Sequence, residues 1–354
     1  MPRPLPVKTS SSPTTLVRTL RTMAVFGIIG FIGISSLFLY TKIVSFSPSD
    51  SFTIGDSATA STTKKSFPIG VNPKTKTVEE SPLVDQYFKG SVASNHTGPS
   101  LARNWFTKLT AKLAQLEWYQ NLASPISRLL VIQSGERQEE IVANFAKILH
   151  WDKDQQETFR TRLASEVPEL PDGKLYPGSY VVETDADPET VAVAVAEKFN
   201  AEVLTRYTDE IESIVPLRDT LIIASLLERE AYDFQDMRYI SGIIWNRLFI
   251  NMRLQIDATM QYAKATKQSK SDDWWPVPVP SDKSINSPYN TYKNAGLPPG
   301  PIANPSIDAI IAALNPRATD CLFYFHDTEG TFYCTETYEE HVTLLKKVYG
   351  VSAK

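Results

Sequence analysis

Cysteine and histidine are scarce in this chain of 354 residues, which has two cysteines and four histidines. Cys321 and Cys334 are too few to form the disulfide-rich scaffold that small secreted domains use. The spacing of the histidines does not match the spacing of metal ligands. They are His96, His150, His326 and His341. The sequence therefore predicts no metal site, and no motif in it calls for a cofactor.

An excess of positive charge is also absent. The chain has 36 Lys and Arg against 40 Asp and Glu, which leaves a formal net charge of −4. Domains that bind nucleic acid carry a strongly basic face that neutralises phosphates. We therefore expect no nucleic acid partner. Since 42% of the residues are hydrophobic and 21% charged, one or two domains with a hydrophobic core are expected, together with tails.

Charge is missing altogether from residues 23–40, MAVFGIIGFIGISSLFLY. A run of about 18–22 apolar residues can span a bilayer. Residues 1–22 contain basic but no acidic residues, and basic flanks stay on the cytoplasmic side. The alternative is a cleaved signal peptide, whose apolar part is shorter, roughly 7–15 residues. We predict a cytoplasmic tail, an anchor at residues 23–44 in the plasma (inner) membrane, and an extracytoplasmic remainder.

Three further regions follow the predicted anchor. Residues 45–100 are rich in Ser, Thr, Pro and Lys, which predicts a flexible linker. Residues 101–215 are predicted to form a small α/β region, because LLVIQSGERQEEIVANFAKIL is typical of a strand, a glycine turn and a helix. In the same region Asp187-Pro188 has the cap and the first-turn proline of a second helix. Residues 216–354 are predicted to form a second domain that carries the activity.

The sequence CLFYFHDTEGTFYC, residues 321–334, predicts a β-hairpin, because two aromatic runs flank the turn signal DTEG. Cys321 and Cys334 stand at its two ends and could form a disulfide in an oxidising compartment. Disulfide geometry is strict, and the register of a hairpin does not follow from its sequence. Two reduced, buried cysteines therefore remain an open alternative.

The stretch LIIASLLERE, residues 221–230, places a glutamate on an apolar helix face. At about 100° per residue, one face of this helix is formed at the spacing i, i+3, i+4 and i+7. Its members are Ile223, Leu226, Leu227 and Glu230. Glu230 is therefore predicted to point inward. Glu228 lies nearly opposite and is the better candidate for a solvated residue.

A carboxylate on an apolar face is costly unless it is paired or protonated, and burial raises its pKa. An acid with a raised pKa is what protonation of a glycosidic oxygen requires. The structural alternative is that Glu230 ends the apolar run and pairs with Arg247 or Arg253. The helix pattern alone favours this alternative, so a catalytic role needs evidence from elsewhere in the chain.

Such evidence lies downstream, in SPYNTYKNAGLPPGPIANP, residues 287–305. A loop dense in Asn, Thr, Tyr and Pro suits a rigid groove wall that offers hydroxyl and amide groups to a polar ligand such as a sugar. An ordinary proline-rich surface loop is the alternative.

These stretches together resemble the bacterial endolytic murein transglycosylases of the MltG type. The resemblance covers residues 129–345 and the N-terminal apolar segment. It is carried by IIASLLEREA, SGIIWNRL, MRLQIDATMQYA, SPYNTYKNAGLPPGPIANPS and TFYCTETYEEH. It implies an α+β fold with a lysozyme-like catalytic domain, preceded by a small LysM-like α/β domain and one transmembrane helix.

Two positions depart from the family pattern. Ala231 stands where some members carry Thr after the catalytic Glu. The last hairpin has Glu329-Gly330-Thr331-Phe332 where members often carry Gly-Gly-His-x-Phe, so no role for that histidine carries over.

The resemblance implies an enzyme that cuts the β-1,4 bond between N-acetylmuramic acid and N-acetylglucosamine inside glycan strands, terminating or trimming nascent strands. It would leave 1,6-anhydro ends, with Glu230 as the catalytic acid and base and without a cofactor. It also implies peptidoglycan glycan strands as partner, the membrane through the anchor, and peptidoglycan synthases of the elongation or division machinery. Residues that would bind substrate are Glu228, Asn246, Arg247, Gln255, Asp257, Thr259, Tyr289, Asn290, Thr291 and Tyr292.

Two rival functions remain open. A lysozyme-type hydrolase needs a second carboxylate, for which Asp257 is the candidate. A cell-wall-binding scaffold without activity would use the same fold but would not need Glu230.

Overall fold

The computed structural model describes residues 51–53, 65–82, 84–85, 126–166, 172–267 and 273–350. The chain divides into two compact units, residues 1–51 and residues 52–354, and apart from Ser51 the described residues belong to the second. The predicted cytoplasmic tail and the anchor at residues 23–44 lie outside the described residues. Within the described ranges, no helix combines the length and the apolar character that a membrane crossing requires.

Helices and strands are mixed in this unit, as the sequence predicted. The strands are β1 (Ser51–Thr53), β2 (Val71–Asn72), β3 (Thr77–Val78), β4 (Ser127–Ile132), β5 (Gly178–Glu183), β6 (Phe323–His326) and β7 (Phe332–Thr335). The helices are α1 (Gln138–Leu149), α2 (Lys153–Glu166), α3 (Pro188–Glu202), α4 (Asp209–Ile214), α5 (Leu217–Glu230), α6 (Phe234–Phe249), α7 (Asp257–Lys267), α8 (Ile307–Leu314) and α9 (Tyr338–Tyr349). Short 3₁₀ helices cover Leu204–Arg206 and Pro280–Ser284.

A smaller hydrophobic core forms around β4 and β5. The two strands are antiparallel, with Leu130 opposite Tyr180, and β1 borders β5 in the same sheet. The predicted strand, turn and helix are confirmed as β4, a turn at Gly135 and α1. Asp187 caps α3 as predicted, since its side chain accepts a hydrogen bond from the Thr190 N–H and Pro188 occupies the first turn. The core side chains include Leu130, Ile132, Ile141, Phe145, Phe159, Tyr180, Val191 and Val195.

The larger core is built around α5. Every residue of α5 from Thr220 to Leu227 is buried, because α6, α7 and α8 pack around it. Glu228, the better candidate for a solvated residue in the sequence, is half-buried instead, and Leu221 and Ser225 on its side of the helix are fully buried. The helix is central to the domain, so the narrow apolar stripe read from its sequence understates its burial.

Part of the segment from which a flexible linker was expected belongs to this core instead. Phe67 and Val71 are buried in it, and the Gly70 N–H donates to the Leu314 carbonyl at 2.9 Å. Asp85 forms an ion pair with the buried Arg238. Apolar residues are few in this stretch, and a composition dominated by Ser, Thr and Lys hid them. The linker prediction is therefore wrong for residues 65–82 and 84–85.

The border between the two cores also differs from the predicted domain boundary after residue 215. Val195 on α3 packs in the smaller core, whereas Phe199 on the same helix packs in the larger core. Val203 and Val215 also belong to the larger core. Helix α3 therefore passes from one core to the other.

The predicted hairpin is confirmed as β6 and β7, with Tyr324 opposite Cys334 and His326 opposite Phe332. These four side chains share one face, which contacts α5 and α6. The other face carries Phe323 and packs against α9. Cys321 and Cys334 form a disulfide, which closes the alternative of two reduced cysteines.

Candidate active site

Glu230 is the last residue of α5, and its side chain is half-buried. One carboxyl oxygen, Oε2, accepts a hydrogen bond from the Tyr324 hydroxyl at 2.9 Å. The other, Oε1, accepts a long hydrogen bond of 3.4 Å from the backbone N–H of Ala258. The carboxyl group therefore lies where the end of α5, the start of α7 and strand β6 meet.

The surroundings of Glu230 favour its neutral form. Burial raises the pKa of Glu230 above its ordinary value, and the negative charge of Asp257 raises it further. The hydrogen bonds from Tyr324 and Ala258 act in the opposite direction, as does His326. Because burial is the largest of these effects, Glu230 holds its proton to a higher pH than a free glutamic acid does, which suits a proton donor.

The structural alternative for Glu230, an ion pair with arginine, is not what the structure contains. Within the described part of the chain, Glu230 forms no ion pair. The buried Arg247 donates instead to the backbone carbonyls of Leu322, at 2.7 Å, and Leu254. Asn246 likewise donates to the carbonyls of Thr319 and Cys321. Both side chains, predicted to bind substrate, hold the base of the hairpin that supplies Tyr324.

The start of α7 is fixed by a pair of buried threonines. Thr259 and Thr291 lie 3.0 Å apart through their hydroxyls, and the Thr291 hydroxyl accepts from the Ile256 N–H at 2.9 Å. Exposed Gln255 takes a left-handed backbone with φ of 51°, and its N–H donates to the Thr291 carbonyl at 3.2 Å. A non-glycine residue in this region costs about 1–2 kcal/mol, so these bonds hold the turn that brings Ala258 to Glu230.

The tyrosines and the asparagine of the YNTY stretch take different roles. The Tyr292 hydroxyl donates to the exposed Asp257 at 2.6 Å, beside Glu230. Asn290 is fully buried and donates to the carbonyls of Lys283 and Ile285, so it shapes the loop and does not face a ligand. Tyr289 is half-buried against Tyr262, with the ring centres 4.7 Å apart.

Glu228 lies on the other side of α5. Its Oε2 accepts from both the N–H of Ser306, at 3.0 Å, and the Ser306 hydroxyl, at 2.7 Å. Ser306 in turn caps α8. Glu228, predicted to bind substrate, therefore joins α5 to the start of α8, away from the contacts of Glu230.

Two side chains beside Glu230 were missed in the sequence. Tyr324 is half-buried with its hydroxyl on Glu230, and His326 lies 3.0 Å from Asp236 of α6. Strand alternation could have placed Tyr324 and His326 on one face of the hairpin. It could not have shown which face meets α5, because that depends on the packing of the whole domain.

The described ranges contain no group of three or more His, Cys, Asp or Glu side chains that could hold a metal ion. The groups found at Glu230 are its own carboxyl group, the Tyr324 hydroxyl, the neighbouring Asp257 carboxylate and the Ala258 N–H.

Comparisons with known proteins point to one family. The model of the YceG-like family matches residues 80–347. The endolytic murein transglycosylase of Bacillus subtilis (strain 168) is 31% identical over 232 residues, which are 60% of this chain and 62% of that protein. The endolytic murein transglycosylase of Streptococcus pneumoniae serotype 2 is 32% identical over 174 residues, 48% of this chain and 31% of that protein.

The matches thus span less than two thirds of the length of these curated relatives. Among solved structures, a yceG-like protein from Listeria monocytogenes superposes with a TM-score of 0.53 at 30% identity. That likeness covers 61% of this chain and 75% of the Listeria chain.

Proposed function

The chain belongs to the YceG-like family, and on that premise we propose that it is an endolytic lytic transglycosylase of peptidoglycan. It would cleave the β-1,4 bond between N-acetylmuramic acid and N-acetylglucosamine inside glycan strands and leave 1,6-anhydro-muramic acid ends. Such cuts would terminate or trim nascent strands.

The observation that carries this proposal is the state of Glu230. Its carboxyl group is half-buried, its pKa is raised by burial, and one tyrosine hydroxyl holds it in place. A neutral carboxylic acid with partial access to solvent can reach a glycosidic oxygen and give it a proton. This arrangement supports a glycan-cleaving reaction better than it supports a purely structural role.

In the first step, Glu230 protonates the glycosidic oxygen between the two sugars, and the bond from that oxygen to C1 of muramic acid breaks. Positive charge develops at C1 and the ring oxygen. The leaving sugar departs with the proton as a free hydroxyl. Glu230 is left as a carboxylate, and in that form the Tyr324 hydroxyl and the Ala258 N–H stabilise it.

In the second step, the Glu230 carboxylate takes the proton of the C6 hydroxyl of the same muramic acid. The C6 oxygen attacks C1 and closes the 1,6-anhydro ring, which restores the neutral acid. No water is consumed. Because the attacking oxygen and C1 belong to one sugar, the step gains from proximity.

We further propose the assignments that the resemblance implied for the rest of the chain. The smaller core would belong to a LysM-like domain and the larger one to a lysozyme-like domain. Residues 23–44 would anchor the protein in the plasma (inner) membrane, with the catalytic domain outside. Peptidoglycan synthases would be partners, which co-purification from membranes would test.

A lysozyme-type hydrolase is the second candidate, and the position of Asp257 favours it. Asp257 precedes Ala258, which contacts Glu230, and its charge acts on the pKa of Glu230. An exposed carboxylate in this place could activate a water molecule. Its hydrogen bond from Tyr292 would then position it for that task.

The test is a digest of purified peptidoglycan with the purified full-length chain, beside its Glu230→Gln variant. Mass spectrometry reads the ends of the fragments. Ends in 1,6-anhydro-muramic acid, one water lighter than reducing ends and absent with the variant, are expected. Reducing ends would favour the hydrolase and Asp257, and equal absence of products from both proteins would favour the scaffold.

A further inference from the structure

Two tyrosines that follow Glu230 in the chain are exposed although their rings belong to an aromatic cluster. Tyr232 is 50% exposed and Tyr239 is 38% exposed. Tyr232 lies between α5 and α6, two residues after Glu230, and Tyr239 lies on α6. Tyrosines that serve only packing bury most of the ring, so this exposure calls for an explanation.

The ring contacts connect both tyrosines to one face of the hairpin. Tyr232 meets the ring of His326 edge-on, with centres 4.6 Å apart. Tyr239 stacks on Phe332, with centres 5.6 Å apart and planes 28° apart. His326 and Phe332 are themselves opposite each other on β6 and β7, so the two exposed rings are supported by one rigid pair.

The same face continues to the catalytic carboxyl. Phe332 stacks on Tyr324 with ring centres 6.0 Å apart, and the Tyr324 hydroxyl donates to Glu230. An unbroken series of ring contacts therefore leads from Glu230 to the two exposed tyrosines.

The position of this surface is held by polar bonds below it. Asp236 of α6 bonds to His326 at 3.0 Å, and both side chains are largely buried. Asp236 lies between Tyr232 and Tyr239 in sequence. Its bond to His326 joins α6 to the hairpin whose rings support both tyrosines. The exposed rings thus stand on a preorganised base, as binding residues of carbohydrate and other polar ligands do.

We propose that Tyr232 and Tyr239 form a saccharide-binding platform, on which sugars of the glycan strand stack beyond the bond cleaved at Glu230. A pyranose ring presents a face of C–H groups rimmed by hydroxyls, and tyrosine presents an apolar face with a hydroxyl at its edge. The platform would bind the strand on the hairpin side of Glu230. Asp257, the first residue of α7, and Tyr292, which bonds to it, would lie on another side. The proposal rests on the proposed function.

The platform is tested by binding, separately from catalysis. The full-length Glu230→Gln protein is titrated with peptidoglycan glycan strands freed of their peptides, and Kd is measured. Tyr232→Leu and Tyr239→Leu are then added singly, since leucine keeps apolar bulk but removes the aromatic face. Loss of one stacking partner should raise Kd roughly three- to tenfold.

Tyr338→Leu is the matched control. Tyr338 is also an exposed tyrosine packed on the hairpin, but it contacts Phe323 on the opposite face. Its replacement should leave Kd unchanged. Equal Kd values for all three leucine variants, or no binding by the parent protein, would overturn the proposal. So would a Tyr232→Phe variant as weak as Tyr232→Leu, because phenylalanine keeps the stacking face.

The active protein gives a second measurement that a purely structural role would not affect. On glycan oligomers of defined length, Tyr232→Leu and Tyr239→Leu should change the position of cleavage as well as KM, because the strand loses one of its holds. An unchanged cleavage position with unchanged KM would contradict the platform. Weakened binding without any 1,6-anhydro product from the wild type would instead retain the platform and refute the transglycosylase.

Discussion

The last turn of α5 presents two carboxylates to opposite sides, and the two sides hold them differently. Glu228 gives one oxygen to two donors of Ser306, which caps α8. Glu230 has one donor on each oxygen, one of them 3.4 Å away, and lies against the hairpin. Two residues of the same type, two positions apart, therefore have different surroundings: Glu228 joins α5 to α8, and Glu230 lies between the hairpin and the start of α7.

The two glutamates therefore differ in the geometry of their hydrogen bonds. Hydrogen bonds donated to a carboxylate stabilise its charged form, whereas burial favours its neutral form. Burial raises the pKa of Glu230.

The largest expected effect separates the two glutamates directly. Glu230→Gln removes the proposed proton donor and should lower the rate of glycan cleavage by roughly 10²–10⁴-fold. Its thermal unfolding midpoint should not fall, because a neutral amide suits a buried position. Release of 1,6-anhydro ends and calorimetry measure the two quantities. A variant with near wild-type activity would contradict the proposed role of Glu230 as proton donor.

The hairpin of β6 and β7, which supports Glu230 through Tyr324, can be destabilised without replacing Glu230 itself. Replacing Cys321 and Cys334 together by serine opens a loop of 13 residues in sequence. A disulfide that closes a loop of this size stabilises a protein by about 3 kcal/mol. Chemical unfolding should show a loss of this order, with reduced activity because Tyr324 lies on the same hairpin. Unchanged stability together with unchanged activity would contradict the role given to the hairpin.

Removal of the Tyr324 hydroxyl tests its effect on the pKa of Glu230. Tyr324→Phe deletes a bond that lowers the pKa of Glu230, so that pKa should rise further. Because the first step needs protonated Glu230, activity falls as pH rises through this pKa, and the alkaline limb of the pH profile should move to higher pH. The maximal rate should fall about tenfold, the equivalent of one hydrogen bond to a charged group.

Tyr333→Phe is the control for that measurement. Tyr333 lies on β7, on the opposite face of the hairpin, and its hydroxyl contacts Asp327. This variant should leave the pH profile in place. A similar shift in both variants would assign the effect to the hairpin as a whole and not to the bond with Glu230.

The smallest effect is expected on the other side of α5. Glu228→Gln keeps one acceptor for Ser306 and loses the charge, so unfolding free energy should fall by about 1 kcal/mol with activity retained. Thermal unfolding and the glycan digest measure this. Activity lost as completely as in Glu230→Gln would return Glu228 to the substrate-binding residues predicted from the sequence.

The sequence was sufficient for features that depend on local pattern. The strand, turn and helix at Gly135, the cap at Asp187 and the aromatic hairpin all follow from short-range preferences. The inward direction of Glu230 follows from helical spacing. The mixed fold and the family follow from motifs that are long and specific.

Features that depend on long-range packing were missed or mistaken. Residues near Phe67 look like linker because nothing local shows that they complete the core beside Leu314. Glu228 was expected to be solvated because helical spacing places it opposite the apolar face. Its partner Ser306, which caps α8, lies 78 positions away in sequence. Tyr324 was missed for the same reason, since its partner Glu230 lies 94 positions away in sequence.

The position of Glu230 at the end of one helix and beside the start of another has an electrostatic consequence. The C-terminal end of α5 carries a partial negative charge, and the N-terminal end of α7 carries a partial positive charge, each about half an elementary charge. The first opposes the carboxylate and the second favours it. A change in the separation of these two helix ends therefore changes how firmly Glu230 holds its proton, without any change in the side chains around it.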